Sequence, residues 1–427
     1  MIERVNEPRM RTEQIQVKRT EQLSKICRNT NALYNRGLYL YRQLFFEKRD
    51  AHKGIIRTRK ADEKHIEKFS YYELDAKLKD EECYKVLPSH VAQQTLRLVA
   101  QNWASFWAAW REHNVRPEKF LGRPQMPRYK KKYSEFVAIF TNQRARVKNG
   151  WLYFTKKSGL ESVKTRISEF QQVRIVPKGY YYVIEIVYKA EERTDTRELD
   201  RNRIMAIDFG VNNLVTSVSN VAGVKSFVVK GGFVKSSNQF YNKVTAKLQS
   251  RNAKNGCRHR TLRLQRVLRK RNNQVKDYFH KTSEAVIDEC VKNNLGTLVI
   301  GYNQKWKQRV NLGARNNQNF VQIPYYRLVQ MLKYKADAVG ISVVMQEESY
   351  TSKCSFLDGE SIEHHVVYKG ERINRGLFRA SNGQLINADV NGALNILKKA
   401  FPNAFAAEGV AGLVLVPFSL RLHKRRK

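Results

Sequence analysis

The order of strand-like and helical segments after residue 203 constrains the fold more than any other feature of this sequence. Short apolar runs bounded by turn residues predict strands over 203–208, 214–220, 225–229, 297–303 and 341–348. Helical patterns fill the intervals between and after them, over about 235–294, 323–340 and 388–400. Strands that alternate with helices indicate a mixed α/β sheet domain.

Three strands, a helical insertion, and then strand, helix, strand and helix form the element order of the ribonuclease H-like fold. The chain before this domain differs, because 21–114 is helical and 115–190 carries short alternating strand patterns. A helix with its N-cap predicted at Ser89 carries a broad apolar stripe. This stripe is typical of a helix–helix core, although its aromatic rings could also stack on bases. The charged, aperiodic segment 192–203 is predicted to be a linker.

Acidic residues fall at the ends of the predicted α/β elements. Asp208 closes the first strand, Glu347 and Glu348 close the strand over 341–348, and Asp389 opens the last helix. Open α/β sheets build their sites at the carboxyl ends of strands, so these carboxylates are expected to converge. Such hard oxygen ligands bind Mg²⁺ or Mn²⁺. Two ions about 3.5–4 Å apart can activate water and stabilise the leaving 3′ oxygen of a phosphodiester.

The charge balance indicates a polyanionic partner. Lys and Arg total 79 against 39 Asp and Glu, which gives a net charge of +40, and nucleic acid is the commonest partner of so basic a protein. No apolar stretch is long enough to cross a membrane, so no membrane partner is expected. The cysteines number five and form no CxxC pair, which favours reduced thiols in the cytoplasm.

Basic residues near the predicted strands and helices are the candidate nucleic-acid contacts. The candidates in the β segment are Arg123, Arg128, Lys130, Lys131 and Lys132. The candidates in the helical insertion are Arg258, Arg263, Arg266, Arg269 and Lys270. Two more, Lys305 and Lys307, follow the strand over 297–303. At this density beside acidic residues, binding of a nucleic-acid backbone is a better interpretation than a merely solvated surface.

Five segments carry a resemblance to a known family: LPSHVAQQTL, GRPQMPRY, DFGVNNLVT, YTSKCS and ADVNGALNIL. Together they resemble the TnpB family of transposon-encoded, RNA-guided DNA endonucleases, which are related to type V CRISPR effectors and to Fanzor proteins. The resemblance implies a guide RNA and double-stranded target DNA as partners, recognition of a short motif beside the target, and an RNA–DNA heteroduplex. It places the first and last catalytic aspartates of the RuvC-type site on Asp208 and Asp389.

The resemblance also implies a domain organisation. Residues 1–20 and 115–195 would form a wedge β domain, and 21–114 a helical recognition lobe. Residues 200–427 would form the RuvC nuclease domain, with a helical insertion over 235–294 and a degenerate zinc-ribbon-like lobe over 354–384.

One departure from the family pattern concerns the second acidic residue. The family's usual glutamate position at the end of the strand over 297–303 is Gly301, which cannot bind a metal ion. Fanzors and a subset of TnpB proteins resemble a rearranged version with the glutamate just before the TSK segment, and Glu348 stands there. If the strands over 297–301 and 341–348 are parallel neighbours about 4.8 Å apart, Glu348 reaches the same pocket. Glu347 is the second candidate, although strand alternation points it the other way.

A second departure concerns zinc. The family usually has four cysteines after the TSK segment, whereas this sequence has Cys354 followed by Leu357, Ala380 and Gly383 at the expected positions. A structural zinc ion needs four good ligands at local spacing, so we expect no zinc and a lobe that is held by packing.

These observations predict an RNA-guided, Mg²⁺-dependent DNA endonuclease with two metal ions, for which Mn²⁺ can substitute. The expected metal ligands are Asp208, Glu348 and Asp389. The expected state is a monomer with RNA in a prokaryotic cytoplasm, associated with the nucleoid when bound to DNA. Because Gly301 cannot bind a metal ion, one alternative function is that of a nuclease-dead, RNA-guided DNA-binding repressor. The other alternative is a guide-independent transposition accessory.

Overall fold

The computed structural model describes residues 10–53, 70–190, 198–256, 261–303, 322–374, 376–405 and 416–422. The chain divides into two compact units, Met1–Glu192 and Arg193–Lys427. Of the predicted nucleic-acid contacts, Arg258, Lys305 and Lys307 lie outside the described residues.

The helices of the first unit are α1 (Glu21–Lys53), α2 (Tyr71–Leu78), α3 (Glu82–Lys85) and α4 (Ser89–Val115). The apolar stripe of α4 lies in the core, as predicted, with Trp103 fully buried and stacked on Tyr41 of α1 at 4.5 Å between ring centroids. The predicted N-cap is wrong: Pro88 precedes the helix without a side-chain cap, and Ser89 is the first helical residue.

The strands of the first unit are β1 (Met10–Lys18), β2 (Ala138–Thr141), β3 (Arg146–Lys148), β4 (Trp151–Tyr153), β5 (Val163–Lys164), β6 (Gln172–Pro177) and β7 (Tyr181–Lys189). One antiparallel sheet has the order β1-β7-β6-β2, and β3, β4 and β5 form another. Strand β1 pairs along β7 with Ile15 opposite Ile184. The segment before α1 therefore joins the β segment that follows α4.

The second unit contains strands β8 (Asp200–Asp208), β9 (Asn213–Ser219), β10 (Phe227–Lys230), β11 (Leu295–Gly301), β12 (Ser342–Gln346), β13 (Glu371–Asn374), β14 (Leu377–Arg379), β15 (Leu385–Asn387) and β16 (Phe418–Ser419). Its helices are α5 (Gly232–Lys254), α6 (Leu262–Lys292), α7 (Tyr325–Ala338) and α8 (Ala388–Ala400). The main sheet has the order β12-β11-β8-β9-β10-β16, and β13, β14 and β15 form a small separate sheet.

Helices cover both faces of the main sheet. Alternation along β11 sends Leu298 and Ile300 into a core with α6 and α7, and Val299 into a second core with α8. Strands β8, β11 and β12 run parallel, whereas β9 is antiparallel to β8. The predicted α/β fold class is confirmed.

Several predicted strand boundaries are wrong, and the strand predicted over 297–303 is Leu295–Gly301. Strand β8 begins at Asp200, inside the segment that was predicted to be a linker, because 200–203 extend the ladder beside β11. Strand β12 ends at Gln346 rather than Glu348, because its partner β11 ends opposite it at Gly301. Within the described ranges, no helix is long and apolar enough to span a membrane.

Candidate active site

The carboxyl ends of three parallel strands form the floor of the candidate site. Asp208 is the last residue of β8, and Gly301, the last residue of the neighbouring β11, pairs with Gln346 at the end of β12. Helix α8 packs on the sheet over β8, β9, β11 and β12, which brings Asp389 in its first turn to the same edge. The order of elements thus gathers acids that lie far apart in the sequence.

Glu348 fills the space above the end of β11. A Cβ atom built on Gly301 would lie 2.8 Å from Glu348 Oε1 and 3.2 Å from its Cγ. The Glu348 backbone N–H donates to Asn303 Oδ1 at 2.9 Å, and its carbonyl accepts from the Thr351 hydroxyl at 2.8 Å. The glutamate therefore takes the place that a side chain at position 301 would need.

Glu347 points to a different partner. Its Oε2 accepts from Lys399 Nζ at 2.7 Å, and Lys399 also donates to the Ser349 carbonyl at 3.1 Å. Partial burial raises the pKa of Glu347, but hydrogen bonds from Lys399 and Ser349 outweigh burial and lower the pKa overall. Of the two glutamates weighed from the sequence, Glu348 lies at the strand ends and Glu347 forms a surface ion pair.

Burial and neighbouring acids raise the pKa values of Asp208 and Glu348. Burial, followed by the charges of Glu348 and Asp389, raises the pKa of Asp208 well above its usual range. Asp208 retains some exposed area, yet protein surrounds its carboxylate closely, since a Cβ on Gly392 of α8 would lie 3.4 Å from its Oδ2. Burial and then the charge of Glu347 raise the pKa of Glu348 to about 7. Such a group of carboxylates favours a bound cation.

Neutral and cationic side chains hold Asp389. Asn213 Nδ2 donates to Asp389 Oδ2 at 2.7 Å, and Lys230 Nζ donates to Asn213 Oδ1 at 3.2 Å. The Asn387 side chain caps α8 by accepting from the Asp389 backbone N–H at 3.0 Å. Arg372 Nη2 of β13 lies 3.6 Å from Asp389 Oδ1. Neither Asn213 nor Arg372 was singled out from the sequence.

The donor chemistry of this site fits a hard divalent cation, because all three acids offer carboxylate oxygens and at least two have pKa values raised by burial. Across the described ranges, however, no three His, Cys, Asp or Glu side chains are already arranged to hold a metal ion. Asp208, Glu348 and Asp389 are the residues that would hold the ion.

Two buried asparagines of α8 fix the segment that follows Glu348. Asn395 Nδ2 donates to the carbonyls of Thr351 at 2.9 Å and Cys354 at 2.7 Å, and Asn391 Nδ2 also donates to Cys354 at 2.9 Å. Both side chains are fully buried. The helix that carries Asp389 is thereby tied to the segment that carries Glu348.

Hydrogen bonds from carboxylate side chains add to packing in the lobe over 354–384. Glu360 is 3% exposed, and its carboxylate accepts from the backbone N–H groups of Ser355 at 2.7 Å and Lys369 at 2.9 Å. Asp358 accepts from the Ser381 backbone N–H at 3.0 Å, which links the chain beside Leu357 to the chain beside Ala380. The Cys354 thiol donates to the Glu363 carbonyl. The absence of zinc stays a prediction.

The predicted nucleic-acid contacts of the first unit divide into two groups. Arg123, Arg128, Lys131 and Lys132 are exposed. Lys130 is half-buried, with its ammonium group 5.2 Å from the ring centroid of Tyr34 and 4.9 Å from that of Phe136.

In the second unit, the predicted contacts lie along one helix. Arg263, Arg266 and Lys270 are exposed on α6, and Arg269 is half-buried on the same helix.

Two family models match parts of the chain. Residues 185–307 match the family model OrfB_IS605, described as a probable transposase, and 325–396 match the Cas12f1-like TNB domain. The predicted resemblance to the TnpB family is confirmed. Asp208 and Gly301 lie in the first match, and Glu348 and Asp389 lie in the second.

Curated relatives cover part of the chain. The CRISPR-associated endodeoxyribonuclease Cas12f1 of Sulfoacidibacillus thermotolerans is 29% identical over 249 residues, 56% of this chain and 54% of that protein. The TnpB-like protein ORF457 of Acidianus two-tailed virus is 26% identical over 209 residues, 47% of this chain and 42% of that protein. The chain thus spans about half the length of the curated relatives it matches.

Solved structures of similar proteins include a Cas12f1–sgRNA–target DNA complex, which is 15% identical to this chain with a TM-score of 0.34. The match covers 90% of this chain and 98% of the Cas12f1 chain. CasPhi-2 (Cas12j) bound to crRNA and phosphorothioate-DNA has 8% identity, 92% and 91% coverage, and a TM-score of 0.43.

Proposed function

We propose that this protein is an RNA-guided DNA endonuclease whose active site is formed by Asp208, Glu348 and Asp389. The observation that carries the proposal is the position of the Glu348 carboxylate, which occupies the space left by Gly301. The end of β11, which carries no acid, thereby receives one from the segment that follows the neighbouring strand β12. Burial, and next to it the charge of Glu348, raises the pKa of Asp208. One relative, a CRISPR-associated endodeoxyribonuclease, supports the same activity.

The proposed cofactor is a pair of Mg²⁺ ions, for which Mn²⁺ can substitute. When bound, the ions would activate a water molecule and stabilise the leaving 3′ oxygen of the phosphodiester. Asp208 and Glu348 supply negative charge in a poorly solvated place, and Asn213 fixes the orientation of the third carboxylate without neutralising it. The half-exposed guanidinium of Arg372 would contact a phosphate that enters the site.

The proposed partners are a guide RNA and double-stranded DNA. The net charge of +40 favours polyanions, and the exposed cations of α6 and of the segment over 123–132 suit phosphate contacts. Base pairing with the guide would select the target, and protein contacts would read a short adjacent motif. A monomer with RNA is the proposed form.

A cleavage assay on the ribonucleoprotein tests the proposal. The protein is purified with its copurifying RNA, and the rate of cutting a matched DNA duplex is measured in Mg²⁺ for wild type and for variants of the site. Asp208→Ala, Glu348→Ala and Asp389→Ala are each expected to lower the rate by roughly 10²-fold or more, because loss of a ligand exceeds the typical cost of losing an outer-shell contact.

Glu347→Ala is the matched control, because it removes the adjacent carboxylate, whose partner is Lys399. Its cutting rate is expected to stay within a few-fold of wild type. Equal cutting by Glu348→Ala and wild type would refute the assigned site. A wild-type complex that binds the matched duplex without cutting it would indicate the repressor, and a protein without tightly bound RNA would indicate the guide-independent accessory.

A further inference from the structure

A tight turn over 131–134 carries a tyrosine where a glycine is expected. The turn is closed by the Ser134 backbone N–H, which donates to the Lys131 carbonyl at 3.1 Å. Tyr133, the third residue of the turn, has a φ of 60°. Turns with a positive φ at this position favour Gly or Asn, because the Cβ of another residue is strained there. A tyrosine at this position therefore costs stability.

Hydrogen bonds from α1 force the turn into this conformation. The buried Asn31 donates through Nδ2 to the Lys131 carbonyl at 3.1 Å and to the Ser134 carbonyl at 2.5 Å. One helical turn later, Asn35 donates to the Lys130 carbonyl at 2.9 Å and accepts from the Lys130 N–H at 2.8 Å. Strained residues that the surrounding structure holds so firmly are concentrated at functional sites.

The strained residue presents its ring to solvent among cations. Tyr133 is 81% exposed, and Lys132 Nζ lies 5.0 Å from its ring centroid. Lys131 and Lys132 are both exposed, and within the described part of this unit neither forms an ion pair with a carboxylate. Lys130, by contrast, is turned against Tyr34 and Phe136. The turn thus displays an exposed aromatic ring next to two exposed lysines.

We propose that this turn binds single-stranded RNA: the Tyr133 ring stacks on an unpaired base, and Lys131 and Lys132 contact the flanking phosphates. Stacking needs a base that is free of its own helix, which excludes an intact duplex. RNA exposes such bases in loops and ends, where proteins commonly read them with aromatic side chains. The choice of RNA rests on the proposed function, in which the protein carries RNA before it meets DNA.

Binding of a short oligonucleotide by the full-length, RNA-free protein tests this assignment. A fluorescein-labelled 12-nucleotide oligouridine is titrated with wild type, Tyr133→Gly and Tyr133→Phe, and anisotropy is recorded in about 0.3 M salt to suppress purely electrostatic binding. Tyr133→Gly is expected to bind roughly 5- to 100-fold more weakly, in line with the loss of one stacked base. Tyr133→Phe keeps the ring and should bind like wild type.

Thermal unfolding separates a binding role from a structural one. Because glycine relieves the positive φ, Tyr133→Gly is expected to unfold at the same or a higher temperature than wild type while it binds RNA more weakly. Tyr72→Ala is the matched control, since Tyr72 is 75% exposed on the regular helix α2 of the same unit. It should leave RNA binding unchanged.

Unchanged RNA binding in Tyr133→Gly, or equal weakening in Tyr72→Ala, would overturn the proposal. So would a Tyr133→Gly defect that is seen with the same-length single-stranded DNA and not with RNA. The assay contains no Mg²⁺ and no cleavage step, so its result does not depend on whether Asp208, Glu348 and Asp389 form a nuclease site.

Discussion

The clearest perturbation of the site is the addition of one methyl group at Gly301. A Cβ atom there would lie 2.5 Å from Ile396 Cδ1 and 2.8 Å from Glu348 Oε1, both inside van der Waals contact. Ile396 is fully buried in the core between the sheet and α8, so it has little freedom to move. Overpacking of this kind typically costs about 1–3 kcal/mol. For a unit of roughly 150–250 residues, each 1 kcal/mol lowers the Tm by about 2–4 °C.

The same methyl group is expected to move the Glu348 carboxylate. A displacement of about 1 Å in a catalytic group can lower a rate by roughly 10²-fold. Gly301→Ala is therefore expected to lower both the Tm and the rate of DNA cutting in Mg²⁺.

A second substitution separates these two effects. Ile396→Val removes the Cδ1 atom that makes the closest contact and leaves the contact with Glu348. The double variant Gly301→Ala/Ile396→Val should thus recover most of the Tm loss without recovering the cutting rate. Differential scanning fluorimetry and a single-turnover cleavage assay measure the two quantities on the same preparations. If Gly301→Ala has the Tm and the cutting rate of wild type, Glu348 does not pack on Gly301. If the double variant recovers both the Tm and the cutting rate, the added methyl group does not displace the Glu348 carboxylate.

Three further predictions follow from the same contacts. Without a metal ion, in the presence of a chelator, folding raises the pKa of Glu348 from 4.5 to about 7, so the free energy of unfolding falls as the pH rises through this window. In urea unfolding, the stability of Glu348→Gln relative to wild type should therefore increase by up to about 3 kcal/mol between pH 5 and 8. A difference that does not change with pH would contradict this prediction. Asn213→Ala removes the hydrogen bond to Asp389 and should weaken Mn²⁺ binding, measured by electron paramagnetic resonance, by roughly 10- to 100-fold; unchanged affinity would remove the positioning role. Glu360→Ala leaves two backbone N–H groups without their buried acceptor and should cost about 2–4 kcal/mol in urea unfolding, with no rescue by zinc; a cost below 1 kcal/mol would show that packing alone holds the lobe.

The types of most helices and strands, and their approximate positions, could be predicted because the spacing of apolar residues along the chain reflects which residues are buried. The helix over 388–400 was predicted with the bounds that the structure has. Polar residues mark its start, and the spacing of apolar residues marks its extent. The strand over 341–348 was predicted too long. Its last two residues continue the sequence pattern, but the ladder stops at Gln346 because β11 ends opposite it at Gly301. A strand's end thus depends on its partner, which lies elsewhere in the chain.

The candidate site was predictable only in part for the same reason. The acids could be identified from their positions at element ends, but the choice between Glu347 and Glu348 depends on Lys399, which is 52 residues from Glu347. Asn213 was missed because its partner Asp389 lies 176 residues away. Likewise, Lys130, Lys131 and Lys132 have the same predicted role, and only the contacts of the Lys130 ammonium group with the rings of Tyr34 and Phe136 show that Lys130 is turned inward.

By itself, the sequence determined an α/β chain with a strongly basic surface and three acids at the ends of its elements, because charge, apolar period and turn residues are local properties. Only the tertiary structure decided that Glu348 fills the space above Gly301, that a neutral amide orients Asp389, and that Tyr133 is held in a strained turn. Each of these depends on contacts between distant segments, and such contacts arise only when the sheet and its helices pack together.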